Sequence, residues 1–271
     1  MDQRIESKSI SVIIPAYNSE KTIERALNSV RLQSSAELIL EVLVIDDGST
    51  DSTAHIVENF QTKYIEFPLK IISKTNSGVS AARNIGMKIA RGKWIALLDS
   101  DDEWLSNKLE IQANVINKNT EIDFLGASHL DGTFKILGKK ITSLYRPTIE
   151  DVCIKSLPQP STAIFKKSIF EEIGGFDESR SYAEDGQFFN KICVNYGFYF
   201  IPVQLSIYDG GKRGFGVSGL SGNIKAMQEG VRANMKELRQ QKNISLIFYL
   251  FITCYNEMKY LRRVLIMKWK R

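Results

Sequence analysis

Cysteine and histidine are scarce in this sequence of 271 residues, and their scarcity excludes several kinds of site. The three cysteines, Cys153, Cys193 and Cys254, lie far apart and lack the paired spacing of a zinc site or a disulfide framework. The two histidines, His55 and His129, are too few for a histidine-rich metal site. We therefore expect any bound metal ion to have oxygen ligands, and we expect a reducing, cytoplasmic setting.

Long hydrophobic runs are also missing. The longest, residues 244–255, is shorter than the roughly 20 residues needed to span a bilayer. The first nine residues are polar and charged, so no signal peptide is expected. A hydrophobic content of 43% and a charged content of 25% are those of an ordinary soluble globular protein. Without an internal repeat or a low-complexity linker, the chain is predicted to form one α/β domain.

The net charge of +5 is concentrated at the C-terminal end. Six basic residues follow Tyr255 against the single acid Glu257, namely Lys259, Arg262, Arg263, Lys268, Lys270 and Arg271. This distribution favours a tail that meets an anionic surface, and no nucleic acid is expected among the partners.

Strand-like and helix-like segments alternate in the first hundred residues. Apolar, β-branched runs occur at residues 10–14, 40–45 and 69–72, and helical periodicity at residues 23–30 and 79–90. A further strand carries the acidic cluster. The βαβαβαβ order predicts a parallel sheet with right-handed crossovers.

An acidic cluster follows the apolar run 94–98. Asp99 and Asp101 come at the carboxyl end of this predicted strand, where open α/β sheets bind ligands. Neighbouring carboxylates repel one another unless a cation or a proton lies between them, so Mg²⁺ or Mn²⁺ is the natural occupant, with a diphosphate as co-ligand. The alternative is an acidic cap, residues 100–102, on a helix that begins near Glu103.

Several motifs occur together in a fixed order. They are VIIPAYN (12–18), VIDDGSTD (44–51), NSGVSAARNIG (76–86), LLDSDD (97–102), GGFD (174–177) and ED (184–185). This set resembles the family 2 glycosyltransferases, which are inverting enzymes with the GT-A fold, and the resemblance covers about residues 9–210.

The resemblance implies an α/β fold of the GT-A type: a Rossmann-like, mostly parallel central sheet flanked by helices, followed by a C-terminal helical extension. Residues 1–222 would form the glycosyltransferase domain, with a nucleotide-binding half at about 9–100 and an acceptor-binding half at 101–222. Residues 223–271 would form the helical, basic-amphipathic extension.

The nucleotide base is expected near the first two strands. By resemblance, Pro15, Ala16 and Tyr17 wrap the base and ribose, although Tyr17 has the alternative of an ordinary aromatic at the rim of the site. Asp47, at a strand's carboxyl end, is placed to accept a hydrogen bond from an imide N–H, a group that uracil carries. The alternative role of helix cap suits Asp51 better than Asp47.

The diphosphate is expected beside residues 77–80, which open a helix whose amides favour anions. Arg83, one turn into that helix, can donate to a phosphate, or it can be a solvated arginine on the helix face. The resemblance makes Asp101 the metal ligand and Asp99 a ribose or metal contact, with Mn²⁺ or Mg²⁺ as the cofactor. The role of Asp102 stays open.

The resemblance makes Asp185 the predicted general base: a sugar hydroxyl becomes a good nucleophile only when its proton is taken as it attacks, and a carboxylate can take that proton. Glu184 is assigned to acceptor binding. Both carboxylates also suit the first turn of a helix, where they stabilise its dipole. Lys212 and Arg213, in the glycine-rich loop 209–219, are expected to close over the diphosphate, the alternative being a plain solvated loop.

The resulting prediction is a metal-dependent inverting glycosyltransferase. It would move a single sugar from a nucleotide-sugar donor, with UDP as the expected nucleotide, to a hydroxyl of a glycan or lipid-linked glycan in surface polysaccharide or lipopolysaccharide synthesis. The Gln-x-x-Arg-Trp motif of processive members does not follow the base, which favours single transfer. Residues 244–271 are predicted to bind an anionic membrane at its cytoplasmic face. Alternatively they pack on the domain or on a second copy.

Two other functions were considered from the same residues. A sugar nucleotidyltransferase needs a glycine-rich, basic signature after the first strand, where this chain has PAYN (15–18). A non-catalytic nucleotide-sugar-binding protein has no need of Asp185.

Overall fold

The computed structural model describes residues 4–211 and 222–269. Its strands are β1 (Ile10–Ala16), β2 (Ile39–Asp46), β3 (Leu69–Ser73), β4 (Trp94–Leu97), β5 (Glu103–Trp104), β6 (Phe124–Ser128), β7 (Phe134–Ile136), β8 (Lys139–Ile141), β9 (Ile164–Lys166), β10 (Phe198–Gln204) and β11 (Ser206–Ile207). Its helices are α1 (Ile23–Arg31), α2 (Thr53–Lys63), α3 (Val79–Ile89), α4 (Lys108–Lys118), α5 (Ile149–Lys155), α6 (Lys167–Ile173), α7 (Glu184–Asn195), α8 (Ile224–Gln240) and α9 (Leu246–Trp269).

A seven-stranded sheet with the order β10-β6-β9-β4-β1-β2-β3 forms the centre of the fold. Its strands run parallel except β9, which is antiparallel to both β4 and β6. The predicted α/β class with a mostly parallel sheet flanked by helices is confirmed. The antiparallel strand was not foreseen, because its short run carries no signal of direction.

The alternation of side chains along β1 builds a core on each face of the sheet. Val12 and Ile14 pack on one face with residues of α1, α2 and α4. Ile13 packs on the opposite face with residues of α3, α6 and α7. Because both faces are covered, the strand is apolar except for the buried Ser11, as is usual for a strand of a parallel sheet.

Gly86 lets α3 approach β1 closely. A Cβ atom at this position would lie 2.5 Å from Cγ2 of the buried Ile13. The glycine of the NSGVSAARNIG motif therefore serves helix–sheet packing, and it holds the N-terminal end of α3 near the carboxyl ends of the strands.

The acidic cluster does not cap a helix. Glu103 and Trp104 form β5, which pairs antiparallel with β11, and α4 begins only at Lys108. The capping alternative is therefore wrong. The β5–β11 pair instead joins the segment after the acidic cluster to the segment that leads into Asp209.

The C-terminal helices pack on the second half of the chain. A third hydrophobic cluster joins the β7–β8 hairpin, α5, β10, α8 and the start of α9. Its members include Phe134, Ile136, Cys153, Phe200, Met235, Leu238, Ile244 and Ile252. Of the helices in residues 4–211 and 222–269, none is both long and apolar enough to cross a bilayer.

Candidate active site

The loop after β4 carries the acidic cluster and is fixed by Ser161. The Asp99 amide donates to Ser161 Oγ (3.0 Å), and the Ser161 hydroxyl donates to the buried carboxylate of Asp102. Asp102 also accepts a hydrogen bond from the Asp209 amide (2.9 Å). Asp102 is thus an anchor between three segments rather than an open carboxylate. No motif contains Ser161, so sequence reasoning missed it.

Asp101, in the same loop, has a raised pKa. Burial, and then the neighbouring charge of Asp99, raise the pKa of Asp101 to about 6. The same two causes raise the pKa of Asp102 to about 7. Arg25 opposes this effect at Asp101, and its Nη2 donates to the Asp101 backbone oxygen (2.7 Å). Arg25 is a second residue that the motifs did not reveal.

Arg83 lies at the centre of the site. It is buried, with Nη2 donating to Asp99 Oδ1 (2.6 Å) and Nη1 donating to Glu184 Oε1 (3.1 Å). Burial alone would lower the pKa of Arg83, but the two carboxylates raise it above its ordinary value. The solvated-arginine alternative is wrong. The predicted contact with a phosphate stays a prediction, since two terminal nitrogens of Arg83 already donate to carboxylates.

Glu184 and Asp185 open α7, directly after Ala183, whose backbone is left-handed (φ 55°). Burial and the charge of Asp185 raise the pKa of Glu184 to about 6, against the opposing effect of Arg83. Burial likewise raises the pKa of Asp185, whose Oδ1 accepts from the Gly186 amide (2.7 Å). Glu184 therefore contacts Arg83, and its predicted role at the acceptor stays a prediction.

Asp47 is buried at the end of β2 and binds the loop before α3. It accepts hydrogen bonds from the amides of Ser77 (2.9 Å) and Gly78 (2.8 Å), and from the Lys74 ammonium group. Asp51 is the residue that binds the Thr53 amide at the start of α2, so the capping alternative for Asp47 is wrong. Lys74 was missed, although it directly follows β3 and hence shares the carboxyl edge of the sheet.

The other predicted nucleotide contacts differ in accessibility. Pro15 and Ala16 are buried at the end of β1, whereas the Tyr17 side chain is 52% exposed beside them. Lys212 and Arg213 lie outside the described residues.

The donor set suits a hard divalent cation. Among the described residues no group of three or more His, Cys, Asp or Glu side chains is arranged to hold a metal ion. Asp99 and Asp101 nevertheless supply carboxylate oxygens in one short loop, and burial followed by the charge of Asp99 raises the pKa of Asp101. Two carboxylates that require further oxygen ligands from a diphosphate fit Mg²⁺ or Mn²⁺.

The sequence profile described as Glycosyl transferase family 2 matches residues 11–174, which include β1 to α6. The chain belongs to glycosyltransferase family 2. The resemblance drawn from the motifs is confirmed, and membership favours glycosyl transfer over the two other functions considered.

Individual relatives agree with this family. An uncharacterized glycosyltransferase of Rickettsia prowazekii is 30% identical over 212 residues, which are 74% of this chain and 63% of that protein. The Escherichia coli enzyme WfgD, a UDP-Glc:α-D-GlcNAc-diphosphoundecaprenol β-1,3-glucosyltransferase, is 38% identical over 130 residues, 48% of this chain and 49% of WfgD. The chain therefore spans about half to two thirds of these relatives.

Among solved structures, S. aureus TarS 1–349 in complex with UDP superposes with a TM-score of 0.64 and 26% identity. The match covers 84% of this chain and 65% of the TarS chain. The GT-A fold predicted from the motifs is confirmed by this likeness.

Removal of the Arg83 guanidinium is predicted to destabilise the protein strongly. In Arg83→Met, the buried carboxylate of Glu184 and the partly buried carboxylate of Asp99 lose their shared partner, so the free energy of unfolding should fall by about 3–5 kcal/mol in urea denaturation. Lys167→Met, which breaks an ion pair with the exposed Glu171, should cost below about 1 kcal/mol. Equal losses in the two variants would contradict the central role of Arg83.

Proposed function

We propose that the protein is a metal-dependent inverting glycosyltransferase that moves a single sugar from a UDP-sugar to a hydroxyl of a glycan or lipid-linked glycan. The observation that carries this proposal is the double ion pair of Arg83, which joins Asp99 of the acidic loop to Glu184, the neighbour of Asp185. This contact supports the proposal, because Asp99 belongs to the loop assigned to the donor diphosphate and Glu184 is the neighbour of the residue assigned as the base.

Asp99 and Asp101 would hold Mg²⁺ or Mn²⁺ together with the diphosphate. A divalent cation supplies positive charge that favours departure of a nucleoside diphosphate. The amides of Ser77 and Gly78 are already used by Asp47, and the Lys74 ammonium group already donates to Asp47, to the Thr75 backbone oxygen and to Ser77 Oγ. Donors to the phosphates would therefore come from Lys212 and Arg213, in the loop outside the described residues.

Asp185 would act as the general base. As the acceptor oxygen attacks the anomeric carbon, Asp185 takes the hydroxyl proton, and the bond from that carbon to the phosphate oxygen breaks. The bonding electrons leave with UDP, and attack from the opposite face inverts the anomeric configuration. The raised pKa of Asp185 brings its basicity closer to that required at neutral pH.

The relatives support the choice of donor and acceptor. WfgD is named for a UDP-glucose donor and a diphosphoundecaprenol-linked acceptor, and the TarS structure contains UDP. Asp47 lies at the carboxyl end of β2, where it can accept from the imide of uracil in addition to its loop donors. We extend this class of donor and acceptor to the present chain, in surface polysaccharide synthesis.

The C-terminal extension would hold the enzyme at an anionic membrane on the cytoplasmic face. Helix α9 exposes large apolar side chains that recur at helical spacing, namely Ile247, Leu250, Phe251, Met258, Leu261 and Leu265. Arg262 is exposed on the same helix, and the basic residues Lys270 and Arg271 lie outside the described residues. Apolar and basic groups together are the combination that binds anionic bilayers.

We keep the proposed division of the chain, with residues 1–222 as the GT-A domain and residues 223–271 as the extension. Residues 9–100 supply the nucleotide contacts and residues 101–222 the acceptor contacts in this scheme. The shared hydrophobic cluster means that the extension and the acceptor half fold as neighbours.

Asp185→Asn should abolish transfer while it leaves UDP affinity within about twofold of wild type, because the amide cannot take a proton. Transfer is measured as UDP release from a panel of UDP-sugars with GlcNAc-diphosphoundecaprenol as acceptor, and UDP binding by calorimetry. Glu171→Gln, an exposed control acid on α6, should retain activity. Undiminished transfer by Asp185→Asn would refute the assignment of the base.

The pH dependence of wild-type transfer should reflect the same carboxylate. Because burial raises the pKa of Asp185 above its ordinary value of 3.8, the basic form is lost at a higher pH than for an exposed aspartate. The rate should therefore fall as the pH drops through this raised value. A rate that stays constant down to pH 4 would contradict the prediction.

Nucleotide binding should depend on the acidic loop. A thermal-shift panel of UDP, GDP, dTDP and CDP, with and without Mn²⁺, should show stabilisation of several degrees by UDP that requires the metal. The shift should vanish in Asp101→Asn and persist in Asp131→Asn, a control acid in an exposed loop. Stabilisation by GDP instead of UDP would refute the donor class, and an unchanged shift in Asp101→Asn would refute the metal site.

Membrane binding should depend on the exposed face of α9. The double variant Leu261→Glu/Leu265→Glu should bind phosphatidylglycerol vesicles at least tenfold more weakly than wild type in sedimentation assays, because apolar area is lost and negative charge is added. Ile65→Glu, at an apolar residue that is 83% exposed on another surface, is the control. Equal binding by all three proteins would refute the membrane proposal. A wild-type dimer in light scattering that only the double variant disrupts would also refute it, because the face would then bind a second copy.

A further inference from the structure

One face of α8 packs against the segment that begins α7. Gly230, Asn234 and Glu237 are spaced four and three residues apart, so they lie on the same side of the helix. All three approach residues 180–187, the segment that contains Asp185. This face of α8 lies outside residues 11–174, the region that matches the family profile.

Asn234 is buried and uses both ends of its amide. Its Nδ2 donates to the backbone oxygen of Ala183 (2.8 Å), and its Oδ1 accepts a hydrogen bond from Arg180 Nη1. A buried amide with a donor contact on one side and an acceptor contact on the other has a fixed orientation. Asn234 therefore fixes the backbone at the residue that precedes Glu184 and Asp185.

The residue that Asn234 holds has an unfavourable backbone conformation. Ala183 has φ 55° and ψ 27°, a left-handed geometry that is unfavourable for a residue with a Cβ atom. The surrounding structure must compensate for it. Gly230 contributes by close approach, since a Cβ atom there would lie 2.5 Å from the Tyr182 backbone oxygen and 3.0 Å from Ala183 Cβ.

Glu237 extends the contact to both sides of Asp185. On the N-terminal side of Asp185, Arg180 Nη2 contacts Glu237 Oε2 (2.5 Å). Arg180 Nε contacts Asp177 (3.0 Å). On the C-terminal side of Asp185, Gln187 Nε2 donates to Glu237 Oε1 (3.0 Å). The first turn of α7 is thus tied to α8 from both directions.

We propose that Asn234 is a positioning residue for Asp185, through its hydrogen bond to Ala183. The C-terminal extension then has a second role besides the membrane contact: it sets where the base carboxylate stands relative to the acceptor hydroxyl. This inference rests on the proposed function of Asp185. A displacement of about 1 Å at a reacting group can lower a rate by about a hundredfold, so loss of one tether should be measurable.

The test compares Asn234→Ala and Asn234→Asp with a control on the same helix. Asn234→Asp keeps the acceptor for Arg180 but loses the donor to Ala183. The control is Arg232→Ala, which breaks an exposed pair with Glu257 of α9 instead. We expect both Asn234 variants to lower kcat at least tenfold for the UDP-sugar that wild type uses fastest, with KM for that donor and UDP affinity within about twofold. Arg232→Ala should retain kcat.

Hydrogen exchange supplies a readout that needs no turnover. In Asn234→Ala, amides of residues 181–187 should exchange at least tenfold faster, while those of β1 and β4 should be unchanged. Wild-type kcat or unchanged exchange in the Asn234 variants would overturn the inference.

The Asp185→Asn variant separates this inference from the proposed function. If Asp185→Asn is inactive while Asn234→Ala is fully active, only the positioning role fails. If Asp185→Asn retains full transfer, the base assignment fails and the role of Asn234 fails with it. In the Asp185→Asn background, Asn234→Ala should cause no further loss of rate.

Discussion

The site depends on one buried guanidinium group. Arg83 extends from α3, which lies between β3 and β4, to Asp99 after β4 and to Glu184 at the start of α7. Two carboxylates brought this close inside a protein would repel each other and take up protons without a cation between them. The ion pairs therefore let the loop after β4 and the start of α7 lie close together.

Hydrogen bonds of two further carboxylates, Asp102 and Asp47, fix the loops around Arg83. Asp102, through Ser161 and the Asp209 amide, joins the acidic loop to the turn before β9 and to the segment after β11. Asp47 joins the end of β2 to the loop that opens α3. Both carboxylates are satisfied by several donors, as buried charges must be. Asn234 adds a contact from the C-terminal side, where its amide donates to the Ala183 backbone oxygen.

Much of this architecture was predictable from local patterns, and the remainder depends on contacts distant in sequence. Apolar runs ended by Pro15 or by Asp46 mark buried strands, and the ED pair marks the start of α7, because these signals arise within a few residues. The partners of Arg83 were not predictable, since Glu184 is a hundred and one positions away. Periodicity likewise gives no sign that Asp102 binds Ser161 or that Asn234 holds a left-handed Ala183.

The stereochemistry of the product tests the central claim most directly. In the proposed mechanism Asp185 is the only base, Arg83 pairs with Asp99 and Glu184, and the sugar is transferred by direct displacement at the anomeric carbon. With a donor such as UDP-α-glucose, nuclear magnetic resonance of the anomeric proton should show a β-linked product. No α-linked product should form at any stage. An α-linked product would mean retention of configuration, and would contradict the account of the site.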